Sequence, residues 1–401
     1  MAVTVSRADV IAFRLGAHHL TERVGESGLL DAVGRCGVQN SPPGSALLAL
    51  HARARGLTAE RLECAVAEDK SLLQTWSMRG SPFYFPTADA PVFTAGVLPP
   101  TESAARRFVL GAGPALDRLG MSLAEAVELT AAEIGDVLAG GGPTGGGLAI
   151  NELGAEIARR IARTLPTGRR GIWEAEGPYA PGQPLGEGVV HFCVRVLTLR
   201  GAVCFAPRAG NKAPLVLVDE WLGHPIPDVG PESARAELLR RYLRCYGPST
   251  RAAFAAWLGV GTGDTGPWWD PVEDELTEVG FGGTSWIHTE DLDALGSPPS
   301  PKGARLLPPG DPYTQMRDRD TIVDREYRGQ VWKSAGAPGT VLTDGEITGV
   351  WRPRKSGRKL KVTLTPFGSW PAQDKDSLAD EAERIGPLRG ASSVDVEFHI
   401  R

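Results

Sequence analysis

The chain has no apolar run of the eighteen or so residues that a membrane-spanning helix needs, which sets aside an integral membrane protein. It has five cysteines, an odd number, and no C-x-x-C pair. Neither a disulfide framework nor a zinc site is expected, and buried thiols account for them better. Its seven histidines are scattered, with His18-His19 the one adjacent pair. Adjacent helical residues point in different directions, so no metal centre is expected. No G-x-S-x-G elbow and no G-x-x-x-x-G-K-[ST] loop occurs, and the glycine run Gly140 to Gly147 follows no strand as a dinucleotide fingerprint must, so the commonest hydrolase, nucleotide and dehydrogenase chemistries are not expected. The N-terminus, MAVTVSRADVIAF, lacks the pattern of a secretory signal, so a cytoplasmic location is expected. A net charge of −5 argues against a protein coated in nucleic acid, but a local basic patch remains compatible with it.

What is present is a globular composition, 42% hydrophobic and 23% charged, over 401 residues, enough for several domains. The capping box Ser6-Arg7-Ala8-Asp9 opens a helix expected to run to about Arg23. Helices over 28–35, 44–54 and 58–68 follow, then short strands 72–78 and 83–85 around Arg79-Gly80. Several helices closed by a hairpin read as a winged helix. The glycine run Gly140 to Gly147 reads as a linker, followed by a helix over 151–165 and a helix or buried strand over 189–199. Met78-Arg79-Gly80 and the aromatic strand after it are echoed at equal spacing by Leu199-Arg200-Gly201 and Val203-Cys204-Phe205. A third unit contains YLRCYGPSTRAAFAAWLG, a helix, a Gly-Pro turn and a helix capped at Ser249-Thr250. Beyond the Pro-rich SPPSPKG, strands 339–342, 346–351, 360–365 and 394–400 and a helix 377–385 suggest a small β-barrel, with Asp344-Gly345 as a hairpin turn. The expected class is thus α+β: three tandem winged helices (1–120, 121–231, 232–298) and a C-terminal β-barrel-like domain (299–401).

Three basic clusters stand out: Arg352, Arg354, Lys355, Arg358, Lys359 and Lys361 around a Gly turn; Arg159, Arg160, Arg163, Arg169 and Arg170; and Arg235, Arg240, Arg241 and Arg244. A cationic hairpin tip can track a phosphate backbone, so nucleic acid is the favoured partner class. The acids Asp311, Asp318, Asp320 and Asp324 lie among Arg317 and Arg319 and fit an internal ion-pair network better than catalysis.

Phrases spanning nearly the whole chain resemble the AlkZ/YcaQ-type winged-helix DNA glycosylases. They are CGVQNSPPGSALLALHARARG, TWSMRGSPFYFPTAD, LRGAVCFAPRAGNK, RRYLRCYGPSTRAAFAAWLG, LLPPGDPYTQMRDRD and GTVLTDGEITGVWRPRKSGRKLKV. The resemblance implies a C-shaped arrangement around double-stranded DNA. It implies excision of alkylated purines by a monomer without a cofactor, and in some relatives self-resistance to a DNA-alkylating product or crosslink unhooking. The family motif is Gln, an apolar residue, then Gln or Asp, ahead of a helix resembling L-A-L-W-A-R. Counting back from Leu48 to Arg53 places Gln39 first, Asn40 in the middle and Ser41 last. The other register puts Gly37 first and Gln39 last. Both keep Gln39, which the resemblance makes the water-positioning group, with Asn40 or Ser41 assisting. Many members have His in the strand after Arg-Gly, where this chain has Phe83-Tyr84-Phe85. Those aromatics read either as core packing or as a contact to a bulky adduct. Arg79, Tyr84 and the basic hairpin are the expected DNA contacts. A non-catalytic DNA-binding regulator and a protein that sequesters the alkylating compound are the rival readings.

Overall fold

The structure is a computed structural model that describes residues 3–139, 147–208 and 210–399. The chain divides into two compact units, each discontinuous in sequence: Met1–Leu62, Leu239–Trp257 and Val272–Arg401 form the first, Glu63–Leu238 and Leu258–Pro271 the second. Among the described residues no helix is long and apolar enough to cross a membrane. Most of the expected glycine linker, residues 140–146, lies outside the described residues.

In the first unit the helix Arg7–Ala17 starts at the expected capping box, with both reciprocal bonds of Ser6 and Asp9 made. It ends six residues before Arg23. His19 adopts a left-handed conformation (φ 53°), and Leu20 N–H closes back on Leu15 C=O at 2.9 Å, which terminates the helix. The helix buries Val10 and Phe13 against Val279, Ile287 and Leu295. Val279 and Ile287 lie on the antiparallel hairpin Leu276–Gly280/Thr284–His288, which Val3–Thr4 extends in parallel. The Gly247-Pro248 turn is tied down by fully buried Arg14, which donates to both carbonyls of the turn (3.1 and 2.8 Å) and to Asp318 (2.7 Å).

The C-terminal strands form one antiparallel-to-mixed sheet in the order Ala304–Leu307, Gly339–Thr343, Glu346–Ser356, Lys359–Pro366, Ser393–Phe398. The Asp344-Gly345 turn has positive φ at both residues (44° and 92°), the twist a two-residue hairpin requires. The expected barrel is not what the described residues form: the first and last strands are the two edges of an open sheet. The helix Ala372–Leu388 connects two parallel strands and packs its Leu378, Ala382 and Ile385 on the sheet. A sheet whose apolar face is covered by a helix gains nothing from closing. The strand Ala304–Leu307 went unrecognised in the sequence because it is only four residues long and carries no alternation.

In the second unit the hairpin Leu72–Trp76/Pro82–Pro86 forms as expected. The helices Leu123–Ala139, Ile150–Thr164 and Leu185–Leu199 pack on one another and lead into the hairpin Val203–Phe205/Pro214–Leu217. The segment around 189–199, open between helix and strand in the sequence, is helical. The internal echo has a structural meaning: Gly80 and Gly201 both turn through positive φ (63° and 74°) just before their strands. The two copies also touch, with the Trp76 and Phe205 rings edge-on at 4.7 Å.

Candidate active site and nucleic-acid interface

The motif loop begins at the short strand Val38–Gln39 and ends at the helix Ser45–His51. Two prolines cannot continue a helix, so the chain must turn here, and it does so through Gly44 at φ 86°. The helix N-terminus has no cap from Gly44 itself. Asn40 supplies it: its Oδ1 accepts from Gly44 N–H at 2.8 Å and from Ala46 N–H at 3.4 Å. Ser45 Oγ in turn donates to the Gln39 carbonyl at 3.1 Å. Asn40 is buried, Ser41 exposed and Gln39 half-buried.

The Gln39 side chain is held at both ends. Its Nε2 donates to the Ser41 carbonyl at 3.4 Å, and its Oε1 accepts from Gln315 Nε2 at 2.9 Å. Gln315 lies on the short turn Pro312–Gln315, in the stretch LLPPGDPYTQ. Gly310, at φ 74°, lets this loop approach closely; a Cβ there would lie 3.2 Å from the Ser41 carbonyl oxygen. Gln315 is a residue that the sequence reading missed. Its spacing from Gln39 along the chain carries no signal, and only folding brings the two together.

Beneath the loop, Arg53 and Asp311 make a bidentate pair, both bonds 2.8 Å, with side chains 2% and 0% exposed. Arg53 also donates to Ala49 C=O at 2.7 Å, and Asp311 accepts from Tyr313 N–H at 2.9 Å. Burial by itself would lower the guanidinium's pKa, but the Asp311 carboxylate outweighs it and raises the value. This pair clamps the loop helix to the segment that carries Gly310 and Gln315. The expected ion-pair role of the acids holds, with different partners: Asp311 takes Arg53, Asp318 takes Arg14, and Asp320 takes Arg328. Arg319 instead lies over the Trp332 ring at 4.7 Å.

Behind the loop, His18, Cys36 and Cys245 are buried, with their side-chain donor atoms within 4.8 Å of one another. Among the described residues this is the group whose composition could hold a metal. Its members already contact one another and their neighbours, Cys36 Sγ with His18 Nδ1 at 3.9 Å and with Tyr246 Oη at 3.6 Å. No disulfide links any of the five cysteines.

The basic hairpin is the strand pair Glu346–Ser356/Lys359–Pro366. Arg352, Arg354, Lys355, Arg358 and Lys359 are all exposed on it. Lys359 and Lys361 face the acids of the next strand, Asp395 at 3.7 Å and Glu397 at 3.0 Å. Arg352 donates to Gly336 C=O at 2.9 Å. Among the described residues, Arg354, Lys355 and Arg358 make no ion pair. The other two basic clusters are largely neutralised: Arg159 and Arg160 share Glu156, Arg169 pairs with Glu125, Arg240 with Glu275, and Arg244 with Glu290. The hairpin shares a core with the site. Trp351 and Leu364 on its strands cluster with Leu48 of the loop helix.

In the second unit, Arg79 is left-handed (φ 55°) and its guanidinium lies 5.9 Å from the Phe83 ring centre. Phe83 and Phe85 are buried, which is core packing, while Tyr84 alternates to the other face and is half-buried. Burial pushes the Tyr84 phenol up to about 12.

The family model for the DNA glycosylase AlkZ-like family matches residues 33–388. The chain belongs to that family. A curated relative, an interstrand DNA cross-link repair glycosylase from Streptomyces sahachiroi, is 26% identical over 408 residues, covering 97% of this chain and 98% of the relative. The solved structure of Streptomyces sahachiroi DNA glycosylase AlkZ superposes with a TM-score of 0.74 at 24% identity, over 99% of this chain and 100% of that one. The latter likeness is one of fold. This AlkZ-like chain is therefore a DNA glycosylase by family.

Proposed function

We propose that the chain hydrolyses the N-glycosidic bond of cationic N7- and N3-alkylpurines in double-stranded DNA, bulky natural-product adducts included, as a monofunctional glycosylase serving self-resistance. The observation that carries this reading is the chemical character of the loop. Gln39 offers an oriented amide, and the acid of the adjoining loop, Asp311, is fully buried and bound by Arg53. An amide can orient a water and present a dipole but cannot accept its proton at neutral pH. Such a site suits a base that already carries positive charge, because that base leaves without protonation. The water oxygen bonds to C1′ as the C1′–N bond breaks. The electron pair of that bond neutralises the base, and the water's proton passes to solvent. Gln39 supplies placement and electrostatic stabilisation of the developing oxocarbenium charge. The products are a free alkylated base and an abasic site.

In this reading the exposed, unpaired Arg354, Lys355 and Arg358, with Arg352, hold the phosphate backbone. The three groups of helices that each end in a hairpin act as winged helices, and the chain works as a monomer. Crosslink unhooking is a second activity, favoured by the name of the curated relative. The test is release of free base from DNA carrying 7-methylguanine, wild type beside Gln39→Ala. Removal of a positioning amide is expected to cost about 10²-fold in rate. Equal release by the variant refutes Gln39 as the water-positioning group. Sequence-specific DNA binding with no base release would identify a regulator, and tight binding of the alkylating compound in the absence of DNA would identify a sequestering protein.

A further inference from the structure

Two backbone carbonyls fix the polarity of the amides at the site. Gln315 Nε2 lies 2.7 Å from Gly310 O and 2.9 Å from Gln39 Oε1. A backbone carbonyl oxygen only accepts, so the end of Gln315 that meets Gly310 is its NH2. That NH2 then donates its second hydrogen toward Gln39, and the atom it meets there must be the amide oxygen. At the other end Gln39 meets the Ser41 carbonyl, again an acceptor, so its NH2 faces that way. Amide oxygen and nitrogen are alike in shape, and only such partners tell them apart. Here both ends of the chain Gly310, Gln315, Gln39, Ser41 give the same answer.

Gln315 is well placed to impose that order. It is 9% exposed, and its turn is pinned by Asp311, which caps Tyr313 N–H and is itself locked to Arg53. Inside the loop, by contrast, the Asn40 side-chain oxygen is occupied in capping the helix Ser45–His51.

We propose that Gln315 is the second amide of the site, a positioning residue acting through Gln39, supplied from 276 residues along the chain in place of a second motif residue in the loop. This rests on the reading of Gln39 as the water-positioning group. Donation to Oε1 does two things. It stops the Gln39 amide from turning over, which would present NH2 where the water must find an acceptor. It also polarises the carbonyl, so that its second lone pair binds the water more strongly.

The test compares wild type, Gln315→Met, Gln315→Glu and Gln39→Ala. The readouts are single-turnover release of 7-methylguanine from DNA across pH 5–8, the DNA Kd, and the thermal midpoint. Gln315→Met keeps the length and loses both donors. It is expected to slow release about tenfold, the cost of one positioning hydrogen bond, with Kd and midpoint nearly unchanged. Gln315→Glu places an acceptor against Gly310 and inverts the Gln39 amide at neutral pH. Its rate is expected to recover as the pH falls, because a protonated carboxyl can donate again, whereas the wild-type profile stays flat. That acid limb is a signature a merely structural residue would not produce. Wild-type rates in both Gln315 variants, with Gln39→Ala impaired, would overturn the proposal alone. An equal loss in both variants at every pH, with lowered midpoints, would make Gln315 structural and overturn it too. A faster Gln315→Glu enzyme would mean that a carboxylate serves as base there, which also overturns it. Full release by Gln39→Ala would instead overturn the underlying reading.

Discussion

Replacing Asp311 by Ala is the sharpest perturbation of the candidate site that leaves every amide in place. The Arg53–Asp311 pair has two 2.8 Å bonds and is closed to water, with side chains 2% and 0% exposed. Removing the carboxylate leaves a buried guanidinium whose remaining hydrogen bond is to Ala49 C=O. Breaking a buried pair in this way costs about 3–5 kcal/mol, because the stranded charge can neither ionise away nor reach solvent. In a body of about 200 residues, each kcal/mol lowers the thermal midpoint by about 2–4 °C, so a drop of roughly 6–20 °C is expected. Circular dichroism melts and urea midpoints would measure it. The double variant Arg53→Met/Asp311→Leu should recover most of the loss, since a well-packed apolar pair is about as stable as a buried ionic one.

The same substitution also reaches the chemistry. Asp311 holds Tyr313 N–H on the turn that carries Gln315, whose Nε2 donates to the Gly310 carbonyl just before it. Base release measured well below the variant's midpoint should therefore fall by about tenfold, as expected when a reacting group is misplaced by a fraction of an ångström. A midpoint within about 3 °C of wild type, less than roughly 1 kcal/mol, would refute the clamp, and unchanged base release in a destabilised variant would separate the clamp from the site.

On the basic hairpin, Ala at Arg352, Arg354, Lys355 or Arg358 should each shallow the dependence of log K on log salt by about 0.9 for every phosphate no longer neutralised, while release from saturated complexes stays constant. Lys359→Ala should change the slope less, because Asp395 already lies 3.7 Å from that ammonium; salt titrations of DNA binding decide this. Burial lowers the pKa of His51, at the end of the loop helix, below its ordinary 6.5. The unfolded chain therefore binds more protons than the folded one between the two values, so stability is full above pH 6.5 and declines as the pH falls through that window. Thermal midpoints at pH 7.5, 6.5 and 5.5 should fall more steeply for wild type than for His51→Gln, and a wild-type slope no steeper than the variant's contradicts this. Hypoxanthine, an uncharged base that needs protonation to leave, should be released at background rates, and robust excision would show that the site holds an acid.

The sequence reveals most of the fold where local chemistry decides it. Ser6 and Asp9 announce a helix start, Thr250 caps its helix by accepting from Ala253 N–H at 3.1 Å, and Asp344-Gly345 makes its hairpin. Local chemistry fails where a distant segment overrules it. The first helix continues in apolar pattern past Ala17, yet a left-handed His19 ends it. The barrel expectation failed because alternating strands say nothing about the helix that covers their face. At the candidate site, Gln39 is a proposal that the family resemblance carries, because it precedes a helix resembling the family's. Gln315 and the Arg53–Asp311 clamp are not legible, since an amide and an ion pair more than two hundred residues apart leave no spacing to read.

On the proposed reading of Gln39, the loop has two separate requirements. One is mechanical: a helix that starts after Pro42, Pro43 and Gly44 has orphaned N–H groups that something must accept, and Asn40 does so. The other is chemical: under the proposed mechanism an amide beside C1′ must have a fixed polarity, and a single glutamine on a loop can turn over at little cost. A loop residue committed to the first task serves the second poorly, since its oxygen is already engaged. A second amide on a segment held by a buried ion pair, as proposed for Gln315, separates the two tasks. Asn40 can then be judged by helix stability and Gln315 by the direction in which Gln39 points. The consequence is dependence on the Arg53–Asp311 pair, so that stability and catalysis at this site should fail together when that pair is broken and separately when either amide is changed.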